Sequence, residues 1–414
     1  MYLDGSKFEA NANKYKFVWK PTTFHNKLSD KIRELLKEYN IETGLPTKGI
    51  IESKIIANKI NELNDILKNY NLDLKENKVH NNNYKLLVQY LEKSLEYEEK
   101  ERICGPNRNS YYKTDNDATA MCLKEDYYSG LGSNMHAGYN TQIGVINGLI
   151  TAYLVTQSRT DINDFTPLLD IHYKFYDSYP KKLCADSGYG SLTNYKYLDK
   201  HKIENFVKYF SWQGNVSGKN PSQYHLNDDE SITCLNGNVG YKIELSWHHK
   251  KANSTFYKVE GCNNCQFNLY CKRFMKDKNE NYKVFEVTIE LQKYIQQAEA
   301  NLLSIAGIEM RVNRSSQVEG AFGVIKQDIQ YDRFRRRSLN KVSTEFMLVC
   351  LGYNIRKLFK HFDGNAKFDY WKAPDDIKPE IFKKPSAKRL SKKASKVKQK
   401  SVNDEAKSKY KYAN

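Results

Sequence analysis

The sequence predicts a mixed α/β domain that is interrupted twice. Three observations predict it. Asn147-Gly148 separates two β-rich runs, 139–146 and 149–155, which is the strongest short hairpin signal a sequence carries. Short apolar runs at 182–186 and 204–210 alternate with helical spacing at 165–172 and 192–201. Two stretches then break the pattern: one reads as helix throughout, and the other is polar and rich in Gly, Asn and Cys.

Each element follows in order. Residues 1–23 hold a first core strand and turn: Met1 to Asp4 is a short extended piece, and Asp4-Gly5-Ser6 reads as a polar turn that ends it. Residues 24–110 form a helical insertion. Phe24, Leu28, Ile32, Leu35 and Tyr39 share one helix face, Ile56, Ile60, Leu63, Leu67 and Tyr70 a second, and Leu87, Leu91 and Leu95 a third. The core resumes at 111–210 with the hairpin, a helix starting near Asn163 or Asp164 with Phe165, Leu168, Leu169 and His172 inward, and the Lys182–Asp186 strand. Residues 211–285 are the Cys-rich insertion. Residues 286–365 return to the core as helices, expected at Val312–Ile329 and Lys341–Phe362, and 366–414 form a basic flexible tail.

The chain has 414 residues and a formal net charge of +17. Of that charge, +10 lies in residues 383–414, where 12 Lys and Arg face only Asp404 and Glu405. An excess of this kind points to an acidic partner, with nucleic acid the first candidate and the tail a candidate phosphate-binding arm. No run reaches the roughly 18–20 apolar residues of a membrane helix, and the N-terminus lacks a signal-peptide layout. Eight cysteines are too few for a secreted disulfide scaffold of this length, so a cytoplasmic protein is expected.

Three carboxylates suit metal chemistry: Asp4 at the first strand's end, Asp186 at the end of a central strand and before Gly188, and Glu319 on a late helix. Strand ends of open α/β sheets are common ligand sites, and two or three hard oxygen ligands hold Mg²⁺. Lys326 follows Glu319 by seven residues, two α-turns, which would put both on one face. Asp115 and Asp117 are rival ligands but read better as turn acids. Spacing alone does not select three residues from 49 Asp and Glu.

At these residues the chain resembles the bacterial insertion-sequence transposases of the DDE class. Four segments carry the resemblance: residues 3–20 around Asp4-Gly-Ser-Lys-Phe, residues 111–121 with the following His-Ala-Gly-Tyr-Asn-Thr-Gln, residues 184–198 around Cys-Ala-Asp-Ser-Gly-Tyr-Gly, and residues 314–328 extended through the Arg run. The resemblance implies a ribonuclease-H-like mixed sheet flanked by helices. It implies Mg²⁺-dependent cleavage and strand transfer on double-stranded DNA, with Asp4, Asp186 and Glu319 as the catalytic triad and ligands of a two-metal site. Lys326 would contact a phosphate, and Arg333, Arg335, Arg336 and Arg337, following on the same element, would bind the DNA backbone. A homodimer would work on paired element ends, in the nucleoid. Members usually carry a helical domain before the first Asp. Asp4 lies almost at the start, so the chain is expected to be N-terminally truncated, with a first strand cut to three residues. The alternative is a catalytically inactive DNA-binding remnant.

Cys262-x₂-Cys265-x₅-Cys271, with Cys234 upstream, is a candidate structural Zn²⁺ site. His248 and His249 are alternatives for the fourth ligand. Such a site would order a long polar loop with too few apolar residues to pack by itself. Cys104, Cys122, Cys184 and Cys350 read as ordinary buried or incidental thiols.

Overall fold

The structure, a computed structural model, describes residues 1–69, 78–123, 134–244, 253–275, 278–364 and 370–395. Its central strands are β1 (Tyr2–Glu9), β4 (Thr119–Met121), β5 (His136–Ile146), β6 (Leu149–Thr156), β7 (Lys182–Ala185) and β8 (Glu204–Val207). They form a mixed sheet in the order β4-β5-β1-β7-β8, with β6 also paired to β5. A separate two-stranded ladder joins β2 (Phe17–Trp19) to β3 (Ser110–Tyr112). β1 runs antiparallel to β5 and parallel to β7, and β7 runs parallel to β8. The mixed α/β class expected from the sequence is present, and the strand order is compatible with a ribonuclease-H-like sheet.

Alternation along β1 shows how the sheet is buried on both faces. Tyr2 and Phe8 belong to one apolar cluster with Met310, Val318, Phe322 and Phe346. Met1 and Leu3 belong to another with Phe165, Leu168, Leu169, Tyr195 and Leu198. Helices α4 (Phe165–Tyr176) and α5 (Leu192–Lys200) supply the second layer. The first layer comes from α8 (Ile289–Leu303), α9 (Ile305–Arg314 and its continuation) and α10 (Leu339–Phe362). The Asn147-Gly148 turn is as expected: both residues have positive φ, 50° and 75°, the geometry a tight hairpin demands.

Four expectations change. The first strand has eight residues rather than three, and Asp4 lies within it rather than at its end. Gly5, Ser6 and Lys7 pair with Gln142, Thr141 and Asn140, and the Thr141 hydroxyl donates to the Ser6 carbonyl at 2.8 Å. The long neighbour β5 thus imposes extended backbone on a sequence whose local preference is a turn. Gly5 permits this, because a Cβ there would lie 2.5 Å from the Gln142 amide.

The Cys-rich stretch is likewise not a polar loop. It contains a five-stranded antiparallel sheet of β9 (Tyr224–Leu226), β10 (Ile232–Cys234), β11 (Val239–Ile243), β12 (Thr255–Glu260) and β13 (Tyr282–Val287), neighbours in sequence being neighbours in the sheet. Alternating residues give it a core of Leu226, Ile232, Tyr257, Val259, Phe285 and Val287. Two short helices flank it, α6 (Trp212–Ser217) before β9 and α7 (Asn268–Cys271) between β12 and β13. The late helices also start earlier than expected. α8 precedes α9, and Ser304 makes the one-residue break between them, its hydroxyl accepting from the Gly307 N–H at 3.1 Å.

The fourth change concerns the tail. Residues 370–395 pack rather than hang free. Phe382 meets Trp212 at 5.8 Å between ring centres, Glu380 pairs with Arg311 at 2.6 Å, and Leu390 is fully buried beside Phe267 and Tyr270. A helix at 387–395, here α11, carries Leu390.

The helical stretch folds as α1 (Thr22–Lys37), α2 (Ser53–Asn69) and α3 (Lys78–Cys104) around their own cluster. Phe24 and Leu95, expected inward, are exposed. The buried place on α1 goes to His25, whose ring nitrogens meet Glu101 at 3.1 Å and Ser94 at 3.1 Å. Tyr70 lies outside the described residues. Among the described residues, no helix is long and apolar enough to cross a membrane.

Candidate active site

The alternation that buries Tyr2 and Phe8 turns Asp4 to their face, under α9. Tyr2 pairs with Cys184 across β1 and β7, so two residues further along both strands Asp4 comes beside Asp186. Asp186 is still extended (φ −77°, ψ 172°), and a short helical turn, Ser187–Tyr189, follows it. The glycine that allows close approach there is Gly190 rather than Gly188: a Cβ on Gly190 would lie 2.7 Å from the Lys208 carbonyl.

Arg314 is the group that draws the carboxylates together. One guanidinium nitrogen meets Glu319 at 2.7 Å and another meets Asp4 at 3.1 Å. Residues five apart lie on different sides of an α-helix, but Ser315–Glu319 forms a π-turn, whose i to i+5 repeat aligns Arg314 with Glu319. Ser315 donates to the other Glu319 oxygen at 3.0 Å. Lys208 stands 3.5 Å from Asp186.

The electrostatics follow from this crowding. Burial pushes the Asp4 carboxyl up to about 6; Arg314 opposes the rise, and Glu319 and Asp186 add to it. Burial also acts on Asp186, but Lys208 and Arg314 outweigh it and hold that carboxyl below its ordinary value. Burial disfavours the Arg314 charge, yet Asp4, Asp186 and Glu319 together raise its pKa. Three carboxylates therefore share two cations.

As the side chains stand, no group of three or more His, Cys, Asp or Glu among the described residues is arranged to hold a metal ion. For Asp4 and Glu319 the physical reason is visible: Arg314 is the cation they bind. The donor chemistry nevertheless fits a hard divalent cation, being three carboxylates in excess over their basic partners.

Lys326 reaches the middle of β1. Its amine donates to the Lys7 carbonyl at 2.8 Å and lies 4.5 Å from the centre of the Phe8 ring, roughly 10 Å along β1 from Asp4. A second π-turn, Val324–Asp328, breaks the two-turn count. Arg333, Arg335, Arg336 and Arg337 lie on the irregular stretch before α10. The Arg333 backbone forms an isolated parallel β-bridge with that of Glu9, and the Arg337 side chain donates to the Asn11 carbonyl at 3.0 Å. Asp115 and Asp117 serve the start of α10: Asp115 accepts from the Ser338 N–H at 3.1 Å and the Tyr139 hydroxyl at 2.9 Å, and Asp117 accepts from the Leu339 N–H at 2.8 Å. They are capping acids, away from the Arg314 cluster.

Cys234, Cys262, Cys265 and Cys271 share one neighbourhood. Burial raises the Cys262 and Cys271 thiols, Cys271 to about 11. Cys271 also feels the other three cysteines, and Cys262 feels Cys265 and Cys234. The Phe267 N–H points at the Cys265 sulfur, 3.3 Å away. All four are free thiols. His248 and His249 lie outside the described residues.

Sequence reasoning does not single out Arg314 or Lys208. Position 314 sits within the 314–328 segment around Glu319, but its role depends on a π-turn that no helical periodicity reports.

Taken together, the fold and site define a mixed α/β protein with an acidic, cation-bridged site beside its parallel strands. Residues 233–359 match the family described as Transposase DDE domain. The match covers less than a third of the chain; it includes Glu319, Lys326, the Arg run and the four cysteines, but neither Asp4 nor Asp186. It supports a DDE transposase, and with it a DNA substrate. No curated protein and no solved structure matches the chain.

Proposed function

We propose that this chain is a DDE transposase that cleaves DNA and transfers strands in the transposition of an insertion sequence, with Asp4, Asp186 and Glu319 as its catalytic carboxylates. One observation carries the reading: Asp4 and Glu319, far apart in sequence, pair with one guanidinium, Arg314, and Asp186, paired with Lys208, is near enough to feel the same charge. Their chemistry suits Mg²⁺, which when bound would activate an attacking oxygen and stabilise the leaving one.

The chain's own residues have separate tasks. Asp186 is held ionised by Lys208 and Arg314, so it is a ready oxygen ligand at neutral pH. Asp4 is fixed by the β-ladder, and Glu319 by Ser315 and the π-turn. Arg314 holds Asp4 and Glu319 in register, one through each terminal guanidinium nitrogen. Lys326 and the Arg333–Arg337 run lie along the path from β1 to α10, where they would contact the DNA backbone.

The test is nicking of a labelled duplex in the presence of Mg²⁺. Asp186→Ala and Glu319→Ala should each abolish nicking and leave duplex binding unchanged. Nicking that survives either change removes that residue from the assignment.

For the four cysteines we propose a structural Zn²⁺, supported by their shared neighbourhood and the N–H aimed at the Cys265 sulfur. Elemental analysis of the purified chain should then give about one zinc per molecule, lost in Cys262→Ser. A zinc-free, folded protein would remove the proposal.

A further inference from the structure

The DDE reading leaves unexplained a set of basic side chains around the helix that packs beside Phe267 and Tyr270. Lys219, Arg389, Lys392 and Lys393 line one concavity of about 380 Å³. All four are exposed. None forms an ion pair among the described residues. The concavity has two walls. One is α11, residues 387–395. Ala387 and Leu390 face Phe267, Tyr270 and Cys271, and Ala394 is buried one turn further on. That is an apolar stripe at helical spacing, and it turns Arg389, Lys392 and Lys393 outward together. The other wall is the turn after α6. Its C-cap Gly218, at φ +61°, is so close to the Lys383 and Lys384 carbonyls that a Cβ would lie 3.0 and 3.2 Å from them. Lys219 is therefore fixed against the segment that leads into α11.

Like charges three and four apart on a helix repel, at about 0.2–0.5 kcal/mol per pair. Among the described residues no acid pairs with them. The arrangement persists because the apolar stripe docks the helix, and it leaves a rigid row of cations on an open surface. Among the described residues, only these four exposed basic side chains line the concavity, and none is a buried polar group that would define a small-molecule site. Duplex DNA, with one negative charge per roughly 1.7 Å of axis, is the anion that matches several cations spread along a groove.

We infer that Lys219, Arg389, Lys392 and Lys393 form a docking groove for the phosphate backbone of duplex DNA, separate from the Asp4–Asp186–Glu319 site. The inference rests on the proposal that the chain acts on DNA. It converts the C-terminal basic segment from a loose arm into a surface with a fixed position.

The experiment is binding of the full chain to a fluorescein-labelled 30-base-pair duplex of arbitrary sequence, titrated with KCl. Removing one phosphate-binding cation should lower the slope of log K against log salt by about 0.9. Arg389→Glu/Lys392→Glu/Lys393→Glu should lower it by about 3 and weaken binding more than tenfold at about 50 mM salt. Lys219→Ala lies on a different element and should lower it by about 1, which keeps the test open if the triple variant misfolds. The control, Lys31→Glu/Lys54→Glu/Lys68→Glu, makes the same charge change on the helical insertion and should have a much smaller effect. If the groove variants keep the wild-type slope, or the control weakens binding as much as they do, the groove is wrong. If the wild-type chain binds no duplex, the DNA reading itself fails.

Discussion

Asp164 shows how far a single carboxyl can be carried from its ordinary behaviour by position alone. It lies just before α4, is nearly buried, and accepts from the Thr156 hydroxyl at 2.8 Å. Burial pushes it up to about 6, Thr156 opposes the rise, and Asp161 adds to it. The folded chain thus holds this proton more tightly than the unfolded chain. The resulting stability is fully present below about pH 4 and is lost as pH rises through about 6. Asp164→Asn should remove this component. Urea titrations of the two proteins between pH 4 and 7 should show a gap that changes by up to about 3 kcal/mol across that window. A gap that stays constant with pH would show that Asp164 does not titrate as stated. At this scale the carboxylates at 4, 186 and 319 stand out from the 49 Asp and Glu only through the family resemblance of the segments that carry them. The sequence is silent about Arg314, one of 66 Lys and Arg, because what distinguishes that residue is a helical irregularity and not its type.

The α8–α9 junction is the feature on which the position of Glu319 depends. α8 stops at Leu303, Ser304 takes an extended conformation, and α9 starts at once. The corner is tight enough that a Cβ at Gly307 would lie 2.2 Å from the Asn301 carbonyl oxygen and 2.4 Å from that of Leu302. Both obstacles are backbone and cannot swing aside. Gly307→Ala should therefore open the corner, cost on the order of 2–3 kcal/mol in thermal unfolding, and reduce nicking by displacing Glu319. A variant with wild-type stability would show that the corner relaxes freely. Elements whose apolar residues repeat at the helical period, such as α1, α2 and α10, are readable from sequence to within a few residues. β1 is not, because its middle is Gly-Ser-Lys and only the partner strand makes it extended. The β9–β13 sheet escapes a sequence reading for a different reason: its alternation, clear in Tyr282–Val287, is masked by polar turns and cysteines between short strands.

Across the whole molecule, the mixed α/β class is readable because the hairpin and the strand–helix alternation are local signals. The packing of the C-terminal segment is not. Lys and Ser dominate its composition, and its few apolar residues, Phe382 and Leu390 among them, gain meaning only from Trp212, Phe267 and Tyr270 more than a hundred residues earlier. The same long-range character governs the centre. β1 is the first strand in the sequence, and its ladder partner β5 begins nearly 130 residues later, Glu9 pairing with Gly138. At a synthesis rate of about 5–20 residues per second, β1 leaves the ribosome roughly 6–25 seconds before the strand that completes it. During that interval the helices of the insertion, whose contacts are local, can form while the strand bearing Asp4 has no ladder to join. The strand bearing Asp4 is thus made long before the strand that gives that residue its surroundings.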